Sequence, residues 1–187
     1  MTERADGRRT DTRERIRAKA LELFTTRGYE LTTLAQVADQ LAITRPAVYH
    51  HFRSKEDLLT SSYNRLVPAL EELVASLRST PATRQSRSEA LHRLSTLLQD
   101  EDGALLVCAR LNEHALRGLP TTAAVLDHLD DLTRLLAPEP DIAGRMRGRL
   151  AVSALMMAAA RGPELGGTSG ERSQAALALA HELLQNT

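Results

Sequence analysis

TLAQVADQLAITRPAVYHHFRSKEDLL, residues 33–59, is the stretch that decides the fold of this chain. Apolar residues recur in its first half at i, i+3, i+4 and i+7, the spacing of one face of a helix of about two turns: Leu34, Val37, Ala38 and Leu41. Thr33 and Gln36 form a capping box, in which each side chain can bond to the other residue's unpaired backbone N–H. Ala42 and Ile43 then break the period, which predicts a short helix followed by a tight bend.

A second short helix is predicted directly after this bend. Thr44 can cap it, and Pro46 fits its first turn, where the missing N–H leaves no helical hydrogen bond unmade. Val48 and Phe52 repeat at i and i+4 and therefore point inward together. Ser54 repeats the capping signal, so a further helix is expected to begin beside it.

The outward face of this second helix carries polar and small side chains. They are Thr44, Arg45, Ala47, Tyr49 and His50, with Lys55 just beyond the helix. Their hydroxyl, guanidinium, imidazole and ammonium groups can donate hydrogen bonds to base edges in the major groove and to phosphate oxygens. Charged, solvated faces are also common on ordinary helical hairpins, so these residues by themselves leave both interpretations open.

The string AVYHHFRSKEDLL, residues 47–59, resembles the helix-turn-helix signature of the tetracycline-repressor (TetR) family. In that family an aliphatic–Tyr–x–x–Phe string is followed, across a two-residue break, by Lys-Glu-x-Leu. The resemblance continues upstream through LAQVA at 34–38 and the helix end at 24–28, and it covers roughly residues 12–60. Pro46 departs from the family pattern, which more often has Gly, Ala or Ser there. Its ring removes one backbone donor from the helix N-terminus.

The resemblance implies an all-α fold, with an N-terminal three-helix helix-turn-helix domain and a C-terminal helical bundle for ligand binding and dimerisation. It also implies a sequence-specific transcriptional regulator, a repressor that a small-molecule effector releases from its double-stranded DNA operator. The family pattern and the outward face together give the expected DNA-binding residues: Thr44, Arg45 and Ala47 at base edges, and Thr33, Tyr49, His50 and Lys55 at phosphates. The alternative is a helical small-molecule-binding protein or enzyme with only an architectural helix-turn-helix. Strongly salt-dependent binding of duplex DNA separates the two.

The chain is expected to divide into three regions. Residues 1–10 are expected to form a disordered arm, residues 11–53 the helix-turn-helix domain, and residues 54–187 the ligand-binding and dimerisation domain. Arg8 and Arg9 can either enter a minor groove as a basic arm or belong to a solvated tail.

About nine helices are expected, the first of them beginning at a capping pattern at Asp11. After the first three, the periodicity predicts helices over 55–78, 89–100, 104–118, 121–136, 141–161 and 171–185, with a polar connector at 79–88. Pro68 predicts a kink within the first of these, because its ring conflicts with the carbonyl of Asn64. That kink either takes part in switching or merely bends a scaffold helix.

No family motif is present in the C-terminal part, so its ligand cannot be inferred from the resemblance. Asn112 falls in an apolar stripe, where an amide either bonds to the backbone or meets a ligand. The candidate ligand-binding residues are Cys108, Asn112, Met146, Ser153 and Met157. The resemblance implies a homodimer through 141–161 and 171–185. Their Ala, Ser and Met residues allow close approach of helices, although the same residues also suit the core of one chain.

The charge of the chain is unevenly distributed. The 24 Lys and Arg balance the 24 Asp and Glu overall. Residues 8–55 nevertheless contain ten basic against five acidic residues, whereas residues 60–187 contain thirteen against fifteen. A basic N-terminal third on a mildly acidic remainder fits a localised phosphate-binding face.

No metal, cofactor or catalytic residue is predicted, and we do not expect an enzyme. Asp127, His128 and Asp131 have workable spacing for a metal, but an exposed charged face explains them and no further ligand completes the set. No Gly-rich phosphate loop or catalytic triad order is visible. The single Cys108 excludes an internal disulfide, and the longest apolar run, 154–160, is too short to span a bilayer. We therefore expect a cytoplasmic protein that has no membrane contact.

Overall fold

The computed structural model describes residues 3–99, 101–137, 141–160 and 165–185, and within these ranges it contains ten helices and no strand. The helices are α1 Glu3–Thr26, α2 Leu34–Leu41, α3 Arg45–His51, α4 Lys55–Ser79, α5 Arg84–Gln99, α6 Glu101–Leu111, α7 Glu113–Leu116, α8 Pro120–Leu136, α9 Ile142–Ala159 and α10 Ser169–Gln185. We call α1–α3 the head and α4–α10 the body. The predicted all-α fold class is confirmed.

The head is a three-helix unit around a small apolar core. Apart from two buried alanines, its best-buried side chains, each at most 1% exposed, are Ile16, Phe24, Val37, Val48 and Phe52. Leu23 and Leu34 are buried beside them, whereas Leu41 is only partly buried. Arg13 lies over the Phe52 ring, with its guanidinium carbon 4.6 Å from the ring centre. This cation–π contact fastens α1 to the end of α3.

The first helix begins earlier than predicted. The capping pattern placed its start at Asp11, but α1 extends back to Glu3. The expectation of a disordered arm over 1–10 is therefore wrong for residues 3–10. That stretch contains the good helix formers Glu, Arg and Ala, and one glycine does not stop a helix that is already nucleated downstream. The side chains of Arg8 and Arg9 lie outside the described part of the structure.

The connector before α5 is shorter than predicted, because α5 begins at Arg84 rather than near residue 89. A reciprocal cap explains the earlier start. The Ser86 N–H donates to Thr83 Oγ1 at 3.1 Å, and the Thr83 N–H donates to Ser86 Oγ at 3.0 Å. Serine in place of the usual Glu or Gln hides this cap from a search for capping boxes.

The predicted helix over 104–118 is two helices, α6 and α7, separated at Asn112. Asn112 has φ −110° and ψ 24°, which is not helical, and its side chain makes no capping bond to α7. This break makes the number of described helices ten rather than about nine.

The longest body helix, α4, joins head and body without interruption from Lys55 to Ser79. It packs against α8 and, less extensively, against α5 and α6. Its inward side carries a row of buried side chains: Leu58, Leu59, Tyr63, Leu66, Leu70 and Leu73. Pro68 lies inside the helix with an exposed ring, and it has no N–H to offer the carbonyl of Asn64. The kink there stays a prediction.

The C-terminal helix pair leaves one apolar face uncovered in the described chain. On its inner side α9 packs against α8 so closely that a Cβ added to Gly148 would lie 2.6 Å from the Thr133 carbonyl oxygen. Its opposite side carries exposed residues, which we call the outer stripe: Ile142, Met146, Leu150, Ser153 and Met157. Contiguous exposed apolar residues of this kind mark interaction surfaces.

None of the described helices combines the length and the apolar character that crossing a bilayer demands.

Candidate DNA interface

The first helix of the helix-turn-helix begins with the predicted capping box. The Thr33 N–H donates to Gln36 Oε1 at 2.8 Å, and the Gln36 N–H donates to Thr33 Oγ1 at 3.2 Å. The Thr33 side chain is exposed. Its hydroxyl can still donate a hydrogen bond while it accepts the capping bond, as a phosphate contact would require.

A left-handed residue makes the turn between the two helices. Ala42 has φ 53° and ψ 39°, and its N–H donates to the Asp39 carbonyl at 3.3 Å. The Ile43 N–H then donates to the Ala38 carbonyl at 3.1 Å. These bonds satisfy the last carbonyls of α2 and redirect the chain into α3.

The second helix, α3, presents the predicted residues on its exposed side. Thr44 caps the helix by accepting from the Ala47 N–H at 3.4 Å, and Val48 is fully buried against the head core. Of the predicted contacts here, Thr44, Arg45, Tyr49 and His50 are exposed and Ala47 is half-buried; Pro46 is exposed beside them. The structure therefore brings the five predicted residues together on α3 and its N-cap. The head core packs against the opposite side of the helix and holds it in place.

Arg45 has an acidic neighbour on α2. Its Nη2 lies 3.9 Å from Asp39 Oδ2, and both side chains are more than 60% exposed. An exposed pair at this distance contributes about 0–1 kcal/mol, so a base or a phosphate can displace Asp39. This weak ion pair holds the guanidinium beside the turn and leaves it available to bind DNA.

Lys55 is held more firmly than the sequence predicts. Its Nζ donates to the Tyr29 carbonyl at 2.7 Å and lies 4.2 Å from the centre of the Tyr29 ring. The side chain is half-buried at the beginning of α4. An ammonium group has three donors, so one bond to Tyr29 leaves two for a phosphate.

Tyr29 lies at the centre of the contacts around Lys55. Its ring packs edge-on against Phe24, with centroids 5.1 Å apart, and its hydroxyl donates to Glu56 Oε1 at 2.6 Å. Burial, followed by this bond to the carboxylate, raises the pKa of Tyr29 well above its usual range. The same bond holds the pKa of Glu56 below its usual range. We call Phe24, Tyr29, Lys55 and Glu56 the Tyr29 cluster.

The candidate ligand residues do not come together in one pocket. Met146, Ser153 and Met157 belong to the exposed outer stripe, whereas Cys108 is fully buried in α6. Burial raises the pKa of the Cys108 thiol to about 12. The Asn112 amide bonds to the backbone, accepting from the Tyr29 N–H at 2.7 Å and donating to the Phe24 and Cys108 carbonyls at 3.1 and 3.0 Å. The effector site therefore stays a prediction.

Sequence reasoning missed Tyr29 and Glu56 entirely. Both lie at helix ends, where periodicity carries no signal. The distant hydrogen-bond partners of Tyr29 are 26 residues away at Lys55, 27 at Glu56 and 83 at Asn112. Only the tertiary fold brings these groups together.

A family model matches the chain from within α1 to the first two turns of α4. Residues 16–61 match the family described as bacterial regulatory proteins, tetR family. The transcriptional activator FasR of Mycolicibacterium smegmatis is 30% identical over 101 residues, which are 53% of this chain and 46% of FasR. The transcriptional repressor KstR2 of Rhodococcus jostii is 30% identical over 106 residues, 51% of this chain and 50% of KstR2. The matched part of the chain thus spans half or less of either relative's length.

The similarity in fold extends over both head and body. The solved structure of the ketosteroid transcriptional regulator KstR2 of Mycobacterium tuberculosis superposes with a TM-score of 0.68, covering 94% of both chains at 17% identity. At this identity the likeness shows a common fold. Residues 16–61 are thus a helix-turn-helix segment of the kind found in the tetR family of bacterial regulatory proteins, and the chain as a whole shares the fold of the solved regulator.

Proposed function

We propose that this chain is a sequence-specific DNA-binding transcriptional regulator, a homodimeric repressor that a small-molecule effector releases from its operator. The observation that carries the proposal is the exposed side of α3, which is held by Val48 and Phe52 in the head core. A rigid helix that presents donors and is flanked by cations suits the major groove and its phosphates. We place the protein in the cytoplasm, because its proposed target is DNA.

The proposed contacts divide into two kinds. Thr44, Arg45 and Ala47 read base edges at the beginning of α3, and the other predicted residues bind phosphates: Thr33, Tyr49, His50 and Lys55. The exposure of α3 and the position of Thr33 at the N-terminus of α2 support this division. Backbone contacts fix the register of the protein on the duplex, whereas base contacts carry the specificity.

The proposed dimer forms through the helices at 141–161 and 171–185. The outer stripe on α9 supports it, together with Leu179 on α10, which is 47% exposed. A two-fold interface would cover the same stripe on both chains. It would hold two α3 helices at a fixed spacing, which operator binding needs near one helical turn, roughly 34–36 Å. In this proposal residues 11–53 form the DNA-binding domain, to which Lys55 adds a phosphate contact, and residues 54–187 form the dimerisation and effector-binding domain.

The proposed release follows from that spacing. An effector lowers DNA affinity only if it binds better to a conformation with the wrong spacing. Cys108 and its neighbours in α6 are fully buried, so a compound entering here would have to displace body side chains. α4 packs in the body and leads directly to the head, and we propose that it carries the displacement.

The test begins with a random duplex library, from which the native chain selects its preferred operator. Arg45→Ala should cost roughly 1–3 kcal/mol on the selected duplex and relax the preference at one base position. Lys55→Ala should weaken selected and random duplexes alike and lower the salt slope by about one phosphate. Arg134→Ala, which removes an exposed cation from the body, is the control for net charge.

Two outcomes contradict the proposal. Selection that returns no preferred sequence removes sequence-specific binding. Equal losses by the Arg45 and Lys55 variants on both duplexes remove the division of contacts. A reporter promoter carrying the selected operator tests the sign of regulation: expression should fall when the chain is supplied, and a rise would make it an activator.

A further inference from the structure

A residue of the body that lies far along the chain from α4 also contacts the head. Asn112 stands at the break between α6 and α7, and its amide crosses to the loop that follows α1. Its Oδ1 accepts from the Tyr29 N–H at 2.7 Å, and its Nδ2 donates to the Phe24 carbonyl at 3.1 Å. A single side chain thus fixes both the last turn of α1 and the first buried residue after it.

The break that carries Asn112 is itself anchored to the body. Arg110 Nη1 lies 3.0 Å from Glu113 Oε2 across the break, and Arg110 Nη2 lies 3.1 Å from Asp130 on α8. Glu113 also pairs with Arg117 at the end of α7. These ion pairs hold the residues on both sides of Asn112 against the body. The Asn112 amide is therefore a fixed point from which the head is positioned.

Tyr29 joins that fixed point to a cation at the proposed DNA face. Asn112 Oδ1 accepts a hydrogen bond from the Tyr29 N–H, while Lys55 Nζ donates to the Tyr29 carbonyl at 2.7 Å. The Lys55 ammonium also lies over the Tyr29 ring. A shift of Tyr29 therefore moves both groups that hold Lys55.

From this chain of contacts we propose that Asn112 is a positioning residue for DNA binding, which acts through Tyr29 to hold the Lys55 ammonium where it meets a phosphate. The inference rests on the proposed function, because it takes Lys55 as a phosphate contact. It also gives the body a connection to the head that does not run along α4. A flexible lysine loses rotamer freedom when it binds, and pre-positioning it removes part of that cost.

The first experiment is a double-mutant cycle on the selected duplex. Asn112→Ala should weaken binding about three- to tenfold, the equivalent of about one lost hydrogen bond. In the Lys55→Ala background the same change should cost less than about twofold, because there is no ammonium left to position. Thr133→Val removes a buried hydrogen bond within α8, to the Leu129 carbonyl, and should leave affinity unchanged in both backgrounds.

The second experiment uses the native chain and needs no variant that has to fold. The sequence contains three tyrosines, so 15N-tyrosine labelling gives three amide signals, of Tyr29, Tyr49 and Tyr63. Binding and positioning are reciprocal, so saturating duplex should slow hydrogen exchange of the Tyr29 amide at least about threefold. Tyr63, fully buried in the body, is the internal reference. In Lys55→Ala, at duplex concentrations that restore saturation, Tyr29 exchange should no longer respond.

The outcomes separate this inference from the proposed function. If the native chain binds no duplex, the proposed function fails. If the native chain binds duplex but the losses from Asn112→Ala and Lys55→Ala are additive, Asn112 is only a structural residue and the inference is overturned. An unchanged exchange rate at Tyr29 in the saturated native complex overturns it as well.

Discussion

At the scale of single residues, Ala42 is a position where the side chain disfavours the backbone conformation that the fold requires. It adopts φ 53° in the turn between α2 and α3, a conformation that costs an L-residue roughly 1–2 kcal/mol. Glycine adopts it without a steric penalty but loses more conformational freedom on folding. The turn is therefore a site where a single substitution can stabilise the head.

We predict that Ala42→Gly stabilises the chain by about 1 kcal/mol, because relief of the left-handed strain exceeds the added entropy cost. Ala75→Gly, at an exposed position inside α4, should destabilise it by about 1 kcal/mol. Urea unfolding of the three proteins gives both values. The same sign for both glycines would show that Ala42 is not strained.

Local chemistry made part of the candidate site predictable from sequence. The caps at Thr33 and Thr44 involve partners three residues away, and the structure has the predicted bonds. Asn112 and Lys55 were different. The apolar stripe around Asn112 allowed both a backbone role and a ligand role, and only the fold shows the Tyr29 N–H beside it. Lys55 was predicted as an outward cation, whereas its carbonyl partner is 26 residues away.

At the scale of elements, the helices were predictable wherever one face is buried and one exposed. α2, α3 and α8 follow that pattern, and their positions agree with the periodicity. The larger errors in helix starts occurred where no apolar face sets the boundary. The polar start of α1 and the polar start of α5 both became helical, which depends on helix propensity and on a cap of unusual composition.

The lone proline of α4 provides a prediction at this scale. Pro68→Ala restores an N–H for the Asn64 carbonyl and should stabilise the chain by about 1–3 kcal/mol in thermal or urea unfolding. If a kink there sets the angle between head and body, affinity for the selected duplex should change at least about threefold, since the spacing of the heads would change. The dimer should persist.

Glu71→Ala, at an exposed position further along α4, is the matched control and should change neither quantity. Duplex affinity that is equal in native chain and Pro68→Ala would remove Pro68 from the switching mechanism. A gain in stability alone would identify the proline as a purely structural feature of the helix.

At the scale of the whole molecule, the outer stripe governs assembly. Leu150, 51% exposed near the middle of α9, should face its counterpart in the proposed dimer. Leu150→Glu should therefore give monomers at micromolar concentration, because two carboxylates would be buried without partners. Sedimentation velocity measures this change. Operator affinity should fall by at least about a hundredfold with the loss of the second half-site.

Leu31→Glu is the control, because Leu31 is also exposed, at 75%, but lies in the head. It should leave the dimer intact. A Leu150→Glu protein that stays dimeric would move the interface away from α9, while monomers that retain full operator affinity would show that pairing is not needed for DNA binding.

Cys108 is the single cysteine of the chain, so the rate at which it is alkylated reports on the packing of the body. The thiol is fully buried and its pKa is raised to about 12 by burial, while alkylating reagents attack the thiolate. Between pH 9 and 12 an unfolded chain would ionise this thiol and the folded chain would not, so its contribution to stability is lost as the pH rises through that window.

At pH 8, iodoacetamide should therefore label the folded protein slowly, at a rate set by how often the body opens, and should label it fast in urea. A Cys108→Ser protein gives the background, and fast labelling without denaturant would mean that the thiol is not buried. An effector that enters the body beside α6 would have to disturb the packing around the Cys108 sulphur. A compound that alters the labelling rate of Cys108 is therefore a candidate effector. Candidate effectors can thus be sought by following the labelling rate of Cys108 by mass spectrometry, before any operator is known.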